Sequence, residues 1–318
     1  MKVSAVIVAK NAKDTICYTL NSLRKQTRRP HEVLVIIPSA NDNTLKALKE
    51  YSEVRIIISG QSARGFQRAV GARYATGDII TFIDSDCVAN PKWLEALEDL
   101  YSKREDIMAQ GGTIIEIENL NQNPQRNIEL KNSFPKRIKF LPTANFSFRR
   151  GVINIIGNFN EKLNEGEDLD FCIRLLKNRI SIVLNPKAIV YHSAKTAKLS
   201  IKRSVSYGKS RAIVFLMYKR YLFSAALVAI IHIFLILASI FMLIIHRYDL
   251  LLTTMGASLI HQFYKFRHDH FIHKQKVSTI KTFVVSVVSS YILYVSFVIY
   301  LLYYLVRWFD QQRLNCTF

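Results

Sequence analysis

The pattern of apolar and polar positions divides the N-terminal part of the chain into alternating strands and helices. Short runs rich in β-branched residues predict four strands, at residues 3–8, 32–37, 54–58 and 78–83. Apolar residues at helical spacing follow the first, second and fourth of these runs: Ile16, Leu20 and Leu23; Leu45 and Leu48; Trp93, Leu94, Leu97 and Leu100. This order predicts an α/β, Rossmann-like fold with a mainly parallel sheet and helices on both faces, with ligand at the carboxyl ends of the strands.

Two apolar runs near the C-terminus have the length of membrane spans. Residues 221–245 and 282–306 contain no charged side chain, and at about 1.5 Å per residue each exceeds the roughly 30 Å hydrocarbon core. Residues 250–264 are apolar but shorter, so they form either a third span or a segment in the interface. With three spans, the basic segments before residue 221 and at residues 265–281 both face the cytoplasm, whereas with two they lie on opposite sides. The positive-inside rule therefore favours three.

The charge distribution agrees with a location at the membrane. The chain has 44 Lys and Arg against 24 Asp and Glu, a net charge of +20, and +12 of this lies in residues 195–281. Residues 198–220 mix basic and apolar side chains, which predicts a segment lying on an anionic membrane surface; the alternative is a basic linker that only sets topology. No base-reading module accompanies these residues, so nucleic acid is not an expected partner.

The expected organisation is a folded domain at residues 1–197, the interfacial segment 198–220, a transmembrane region 221–306 and a short tail 307–318. No signal peptide is visible, which predicts a multi-pass protein of the cell membrane with its first domain in the cytoplasm. Cys17, Cys87, Cys172 and Cys316 lack metal-ligand or disulfide spacing and are expected to be reduced thiols. Gly-x-Gly-x-x-Gly and P-loop motifs are absent, which argues against a dehydrogenase or a P-loop NTPase. The polar residues 118–139 predict a mobile loop near the site.

Two acidic clusters are candidates for chemistry. Asp84 and Asp86 follow a buried strand at alternate positions, so both carboxylates can approach one hard cation; the alternative is an Asp-rich turn before the next helix. The second cluster consists of four carboxylates within six residues, Glu165, Glu167, Asp168 and Asp170. Such a density favours a cation site or a proton-transfer role, although Asp168 could instead cap a helix. His192 ends another apolar strand and is either structural or a third metal ligand.

Several ordered motifs between Val3 and His192 resemble family 2 glycosyltransferases of the GT-A fold, the group of polyprenyl-phosphate sugar synthases and polysaccharide glycosyltransferases. Asn11 after the first strand is similar to the family opening. The segment from Gly71 through Gly77 to Asp84-Ser85-Asp86 is similar to the approach to its DxD motif. The acceptor-side block and ED motif are matched by residues 143–150, by Gly157-Asn158-Phe159 and by residues 166–170 with Arg174 and Leu175.

This resemblance implies an inverting glycosyltransferase of the hexosyltransferase type, which moves a sugar from a nucleotide diphosphate sugar. Asp84, Asp86 and His192 would hold Mg²⁺ or Mn²⁺ against the diphosphate. Asp168, with Glu167 beside it, would be the general base that deprotonates the acceptor. The residues expected to bind the donor are Ala9, Asn11, Arg68, Asp84 and Asn145. Together with the membrane spans, the resemblance implies a lipid-linked or polyprenyl-phosphate acceptor at the cytoplasmic leaflet.

Two departures from the family limit what the resemblance implies. Residues 37–40 read Ile-Pro-Ser-Ala where the family usually has an Asp-Asp-Gly-Ser stretch that contacts the base, so the base is not identified. The Gln-x-x-Arg-Trp motif of processive members is absent before residue 221, which predicts single additions. Alternative functions are transfer to a surface polysaccharide or other glycan, nucleotidyl transfer, and a catalytically silent membrane protein that binds nucleotide.

Overall fold

The structure is a computed structural model that describes residues 1–117, 119–121, 134–193, 197–218 and 288–304, with single helical positions between residues 227 and 244. The chain divides into two compact units, Met1–Ala194 and Lys195–Phe318. Most of the predicted span 221–245, all of 250–264, both ends of the predicted span 282–306 and the tail 307–318 lie outside the described residues. Within the described residues, no helix combines the length and the apolar character needed to cross a membrane.

The first unit contains nine strands and six helices within its described residues. The strands are β1 (Val3–Val8), β2 (Glu32–Ile37), β3 (Val54–Ile58), β4 (Ile79–Asp84), β5 (Cys87–Ala89), β6 (Ala109–Ile117), β7 (Lys136–Ile138), β8 (Asn145–Arg149) and β9 (Ile182–Ser193). The helices are α1 (Ile16–Arg24), α2 (Thr44–Leu48), α3 (Arg64–Tyr74), α4 (Trp93–Lys103), α5 (Val152–Ile156) and α6 (Glu167–Lys177). The second unit begins with α7 (Ala197–Met217) and includes the helical segment 288–304.

All nine strands belong to one sheet in the order β3-β2-β1-β4-β8-β6-β9-β5, with β7 also paired to β9. The sheet begins with four parallel strands, β3-β2-β1-β4, which belong to the βα units. Strand β8 then inserts antiparallel between β4 and β6, and both β5 and β7 pair antiparallel with β9. The prediction of an α/β fold is confirmed. Strand β6 pairs antiparallel with β8 and parallel with β9, so six of the nine strands, β1–β4, β6 and β9, run in the same direction, in agreement with the prediction of a mainly parallel sheet. The short strands β5, β7 and β8 run the other way, and the sheet is therefore mixed.

Helices cover both faces of the sheet, as predicted. One face packs under α1, α2 and α4 in a core that includes Ile16, Leu20 and Trp93. The other face packs under α3, α5 and α6, and its centre is a cluster of phenylalanine side chains from β4, β8 and α6 with Phe159. Since both faces are buried, the parallel strands read as mostly apolar runs rather than as alternating ones.

The strand predictions are confirmed for β1, β2 and β3, and β4 lies one residue later than expected. The interpretation of residues 118–139 as a loop is wrong at Lys136–Ile138, where the backbone pairs with β9 as β7. Two of its three residues are basic and exposed, so the sequence shows no apolar run that would predict a strand here. Residues 118 and 122–133 lie outside the described part of the chain.

Glu32 ties together the edge of the sheet opposite the strands' carboxyl ends. Its Oε1 accepts hydrogen bonds from Ser4 Oγ at 2.6 Å and from the Thr76 backbone N–H and hydroxyl at 2.7 Å. Burial alone would raise the pKa of Glu32, but these hydrogen bonds outweigh it, and the pKa lies below its ordinary value. The ionised carboxylate is therefore part of the native structure.

In the second unit, α7 contacts the helical segment 288–304. Ala212 on α7 is buried against Tyr294 and Phe297. The two helices approach so closely at Gly208 that a Cβ atom there would lie 2.7 Å from the Leu293 carbonyl oxygen. Small residues are what such a close helix crossing requires. Helix α7 covers most of the basic segment predicted at residues 198–220.

Candidate active site

The predicted DxD residues lie where β4 reaches its carboxyl end. Asp84 is the last residue of β4, and Asp86 lies in the turn before β5. The Asp86 carbonyl oxygen accepts a hydrogen bond from the Ser193 backbone N–H at 3.1 Å, which fixes the turn against the end of β9. The side chain of Asp84 is about one-third exposed, at 35%, and that of Asp86 is 18% exposed. Both carboxylates therefore remain within reach of a ligand at this edge.

Arg68 connects the DxD end of β4 to the start of α6. Its side chain is only 7% exposed; Nη2 lies 3.4 Å from Asp84 Oδ1, and Nη1 forms an ion pair with Glu167 Oε1. Burial lowers the pKa of the Arg68 guanidinium, while the nearby carboxylates of Asp84 and Asp168 oppose that shift. Buried charges need such partners, because an unpaired one would lose its hydration without compensation. Arg68 thus joins the two acidic clusters that the sequence separates by about eighty residues.

Glu167 lies too deep to meet a substrate directly. Its side chain is 3% exposed, and Oε2 is buried without a hydrogen-bond partner. Glu167 forms an ion pair with Arg68, so the geometry gives it the role of positioning Arg68 and the start of α6. The sequence interpretation grouped Glu167 with the catalytic residues, but the structure separates it from the half-buried Asp168 next to it.

Asp168 lies in the first turn of α6 and faces the same arginine and aspartate. Loss of water around its carboxyl raises its pKa above the ordinary value, and the charge of Asp84 adds to this, while Arg68 and the Leu169 backbone N–H at 2.8 Å oppose it. The cap position belongs to Gly166, whose φ of +78° is the left-handed conformation that favours glycine. A half-buried carboxylate with a raised pKa beside a second acidic cluster is a suitable general base.

Hydrogen bonds to the backbone of α3 fix the loop before α6 against that helix. The Gly65 N–H donates to the Leu163 carbonyl at 2.9 Å, and Asn158 Nδ2 donates to the Ala69 carbonyl at 2.9 Å. A Cβ atom at Gly65 would collide with the carbonyl oxygens of Asn160 and Leu163. This close approach brings Arg68 on α3 to Glu167 on α6, and it explains the glycine at position 65.

Other acidic residues near α6 serve its packing. Asp170 is buried and pairs with Arg174 at 2.8 Å, and Arg174 Nη1 donates to the Ile156 carbonyl at 2.7 Å. This pair joins the first turns of α6 to the end of α5. Glu165 precedes the helix and is half-buried.

A second group of side chains meets on the other side of the DxD turn. His192 Nε2 lies 3.4 Å from Asp86 Oδ1, and the Cys87 thiol completes a group whose donor atoms all lie within 4.8 Å of one another. In the described part of the chain, this is the one group of three or more such side chains with metal-binding spacing. A carboxylate and an imidazole are suitable ligands for Mn²⁺ and acceptable ones for Mg²⁺. Asp84 lies outside the group.

The loop after β1 carries two of the predicted donor-binding residues. Ala9 is buried, and its N–H donates to the Ile36 carbonyl at 2.9 Å. Asn11 is exposed with a φ of 53°, and its N–H donates to both carboxylate oxygens of Asp42, at 3.0 and 3.1 Å. Asp42 therefore fixes the backbone of the loop after β1 at Asn11 and leaves the Asn11 side chain exposed.

Asp42 was not among the residues predicted from the sequence. Its Oδ1 also accepts the Thr44 backbone N–H at 2.9 Å and the Thr44 hydroxyl at 2.5 Å. Burial would raise the pKa of Asp42, but these hydrogen bonds and that from Asn11 lower it overall. The Asp42-x-Thr44 spacing before a helix is the signal that could have identified this residue.

Asn145 lies inside the sheet and is not exposed to a ligand. It is fully buried; Oδ1 accepts a hydrogen bond from Trp93 Nε1 at 2.9 Å, and Nδ2 donates to the carbonyls of Thr113 and Ala188 at 3.1 and 2.9 Å. These contacts engage the amide within the core. The structure therefore separates Asn145 from the other residues predicted to bind the donor.

Comparisons with known proteins show which family and which relatives this chain is similar to. Residues 4–160 match the family described as glycosyl transferase family 2. Glucosyl-dolichyl phosphate glucuronosyltransferase of Haloferax volcanii is 23% identical over 254 residues, which cover 69% of this chain and 79% of the relative. The Escherichia coli protein UDP-Glc:alpha-D-GlcNAc-diphosphoundecaprenol beta-1,3-glucosyltransferase WfgD is 38% identical over 90 residues, 26% of this chain and 34% of the relative.

A solved structure with a similar fold is that of GalNAc-T7 with UDP, GalNAc and Mn²⁺. It aligns with a TM-score of 0.52 and 19% identity over 61% of this chain and 44% of the other. At this identity the similarity shows the fold, which is that of the GT-A glycosyltransferases. This chain therefore spans less than half of that protein, but most of the length of its archaeal relative.

Proposed function

Because this chain belongs, through residues 4–160, to glycosyl transferase family 2, we propose that it transfers a sugar from a nucleotide diphosphate sugar to a lipid-linked acceptor. It is a glycosyltransferase, as the sequence motifs predicted. The observation that carries the proposal is the buried Arg68, which joins the DxD aspartate Asp84 to Glu167, next to Asp168. One buried arginine thereby contacts carboxylates of both the donor side and the acceptor side.

On the donor side, Asp84, Asp86 and His192 are the residues that would hold Mg²⁺ or Mn²⁺. The donor set supports this, since the Asp86 carboxylate and the His192 imidazole already lie 3.4 Å apart. When bound, the cation would neutralise the diphosphate leaving group. Arg68 adds a fixed positive charge behind Asp84, and the exposed Asn11 side chain lies at the carboxyl end of β1, where donors bind in open α/β sheets.

On the acceptor side, Asp168 accepts the proton of the attacking hydroxyl group. Its raised pKa makes it a stronger base than an ordinary aspartate, provided that the working pH keeps it ionised. Glu167 and Arg68 hold the first turn of α6 in place, so that the base stays on the side opposite the leaving group. Attack from that side inverts the anomeric configuration. An acceptor that is a lipid phosphate is already anionic and would depend less on this base.

The lipid-linked acceptor and the membrane location form one proposal. The relatives named above act, by their names, on dolichyl-phosphate- and diphosphoundecaprenol-linked sugars. The basic segment 198–220 would rest on the anionic surface of the cytoplasmic leaflet, and the apolar runs at 221–245, 250–264 and 282–306 would make the protein multi-pass in the cell membrane. The second candidate, transfer to a polysaccharide, is favoured by no contact in the described residues.

The test is a transfer assay with the full chain in membranes. Nucleotide diphosphate sugars with uridine, guanosine or thymidine bases, each labelled in the sugar, are incubated with Mn²⁺ and either a polyprenyl-linked sugar, which offers a hydroxyl group, or polyprenyl phosphate. We expect label from one donor to enter the organic phase. Label that stays aqueous but becomes attached to glycan supports the polysaccharide alternative. Release of the labelled sugar as its 1-phosphate, with the nucleoside monophosphate transferred to an acceptor and no sugar transfer, would overturn the proposal in favour of a nucleotidyltransferase.

A further inference from the structure

The residue directly after the DxD motif, Cys87, lies in the same side-chain group as Asp86 and His192. Register pairs Cys87 of β5 with His192 of β9, and paired residues on adjacent strands project from the same face of a sheet. Asp86 lies in the turn before β5, so its carboxylate is free of the strand alternation and reaches the same side. The thiol is fully buried.

The dimensions of the group suit a small thiophilic cation. Ligands at about 2.0–2.3 Å from zinc in tetrahedral geometry lie roughly 3.3–3.8 Å from one another. The Asp86 and His192 atoms are 3.4 Å apart, and every pair in the group lies within 4.8 Å. Side-chain rotations that move the donor atoms by about 1 Å would therefore bring all three to the distances of zinc ligands.

The chemistry of the three ligands differs from that of a hard-cation site. Thiolate, imidazole and carboxylate together are a zinc ligand set with one position left open. Zn²⁺ also binds mixed nitrogen, oxygen and sulfur sites more tightly than Mn²⁺. A cation bound there releases the thiol proton to solvent, because the thiolate is the ligand.

We propose that Asp86, Cys87 and His192 form a binding site for a thiophilic divalent cation of the Zn²⁺ class, and that its occupation competes with Mg²⁺ or Mn²⁺. The two cations would compete because both use Asp86 and His192 as ligands. The competition therefore rests on the proposed function, in which these residues hold the catalytic cation. The zinc site itself does not depend on it. Zinc in excess would therefore withdraw two ligands from the donor side, and the enzyme would be inhibited.

The test uses Co²⁺ as an optical substitute for Zn²⁺ on the full-length chain without donor. We expect a thiolate-to-cobalt charge-transfer band in the near ultraviolet that saturates at one equivalent and disappears when one equivalent of Zn²⁺ is added. Cys87→Ser should abolish the band and weaken Zn²⁺ binding roughly tenfold or more. The matched control is Cys17→Ser, which removes a half-buried cysteine outside the group and should keep the band.

A second measurement follows Mn²⁺ by electron paramagnetic resonance. Zn²⁺ should release bound Mn²⁺ from the wild-type chain, and roughly tenfold more Zn²⁺ should be needed with Cys87→Ser. A wild-type protein with no charge-transfer band, or a band that persists in Cys87→Ser, overturns the proposal whether or not the variant folds well. Absence of sugar transfer with a normal cobalt band would instead contradict the proposed function alone.

Discussion

The buried ion pair between Arg68 and Glu167 allows a quantitative prediction. The substitution Glu167→Gln keeps the shape of the side chain and removes its charge. Arg68 then stays in a place where its side chain is 7% exposed, with Asp84 at 3.4 Å as its remaining ion-pair partner among the described residues. The cation loses its closest compensation, and the start of α6 loses its tie to α3.

The expected loss of stability follows from the burial of both partners. Removing one member of a buried pair destabilises a protein by about 3–5 kcal/mol. Asp84 still offsets part of the charge, so we expect the lower end of that range, about 3 kcal/mol. Replacing both partners, as in Arg68→Met with Glu167→Leu, should recover much of this loss, because neither charge is then buried alone. Activity should stay low in the double variant, since Asp84 and Asp168 lose their shared cation.

Urea unfolding followed by tryptophan fluorescence measures this loss. The chain has two tryptophans, and a Trp308→Phe background leaves Trp93, which is fully buried in the first unit, as the reporter. The matched control is Glu161→Gln, which breaks the exposed pair with Arg73 and should change the free energy of unfolding by less than about 1 kcal/mol. A Glu167→Gln variant as stable as this control would refute the reasoning.

Further predictions concern packing and pH. Gly65→Ala should reduce both stability and activity strongly, because its Cβ collides with backbone carbonyls, whereas Gly151→Ala, which meets nothing within 4 Å, should be tolerated in the same urea and transfer assays. The lowered pKa of Glu32 adds stability that is present above its unfolded pKa and is lost as the pH falls through the folded one; Glu32→Gln should flatten this acid limb in unfolding curves measured between pH 3 and about 6. Asn145→Ala should cost about 2–4 kcal/mol and shift the emission of Trp93, which loses its hydrogen-bond acceptor; an unchanged spectrum would contradict the role given to this amide.

The parallel part of the sheet could be predicted from the sequence because its signals are local. Strands β1, β2 and β3 are short runs of mostly apolar, β-branched residues, each with one polar residue, and such runs are typical of strands in a sheet covered on both faces. Residues 145–149 of β8 were interpreted as part of the acceptor-side motif and not as a strand, although Phe146 and Phe148 alternate with polar residues. Polar residues at fully buried positions concealed that strand, since their hydrogen bonds are made only in the folded sheet.

The site was predictable as two acidic clusters but not as one structure. The motifs identified Asp84, Asp86 and Asp168 by their order along the chain. The contact of Arg68 with Glu167 depends on the close approach of α3 to the loop before α6. The meeting of Cys87 with His192 depends on the register between β5 and β9, and spacing along the chain carries no information about either. For the same reason, the sequence could not assign Asn145 to the core.

The central claim is that Asp168 is the base of a sugar transfer at the edge where Asp84 and Arg68 meet. The most direct measurement is turnover by the Asp168→Asn variant, with binding of the labelled nucleotide sugar measured in parallel on the same preparation. Turnover should fall by at least about a hundredfold while donor binding stays within a few-fold of the wild type, because the base acts on the acceptor. Full transfer activity in Asp168→Asn would contradict the account.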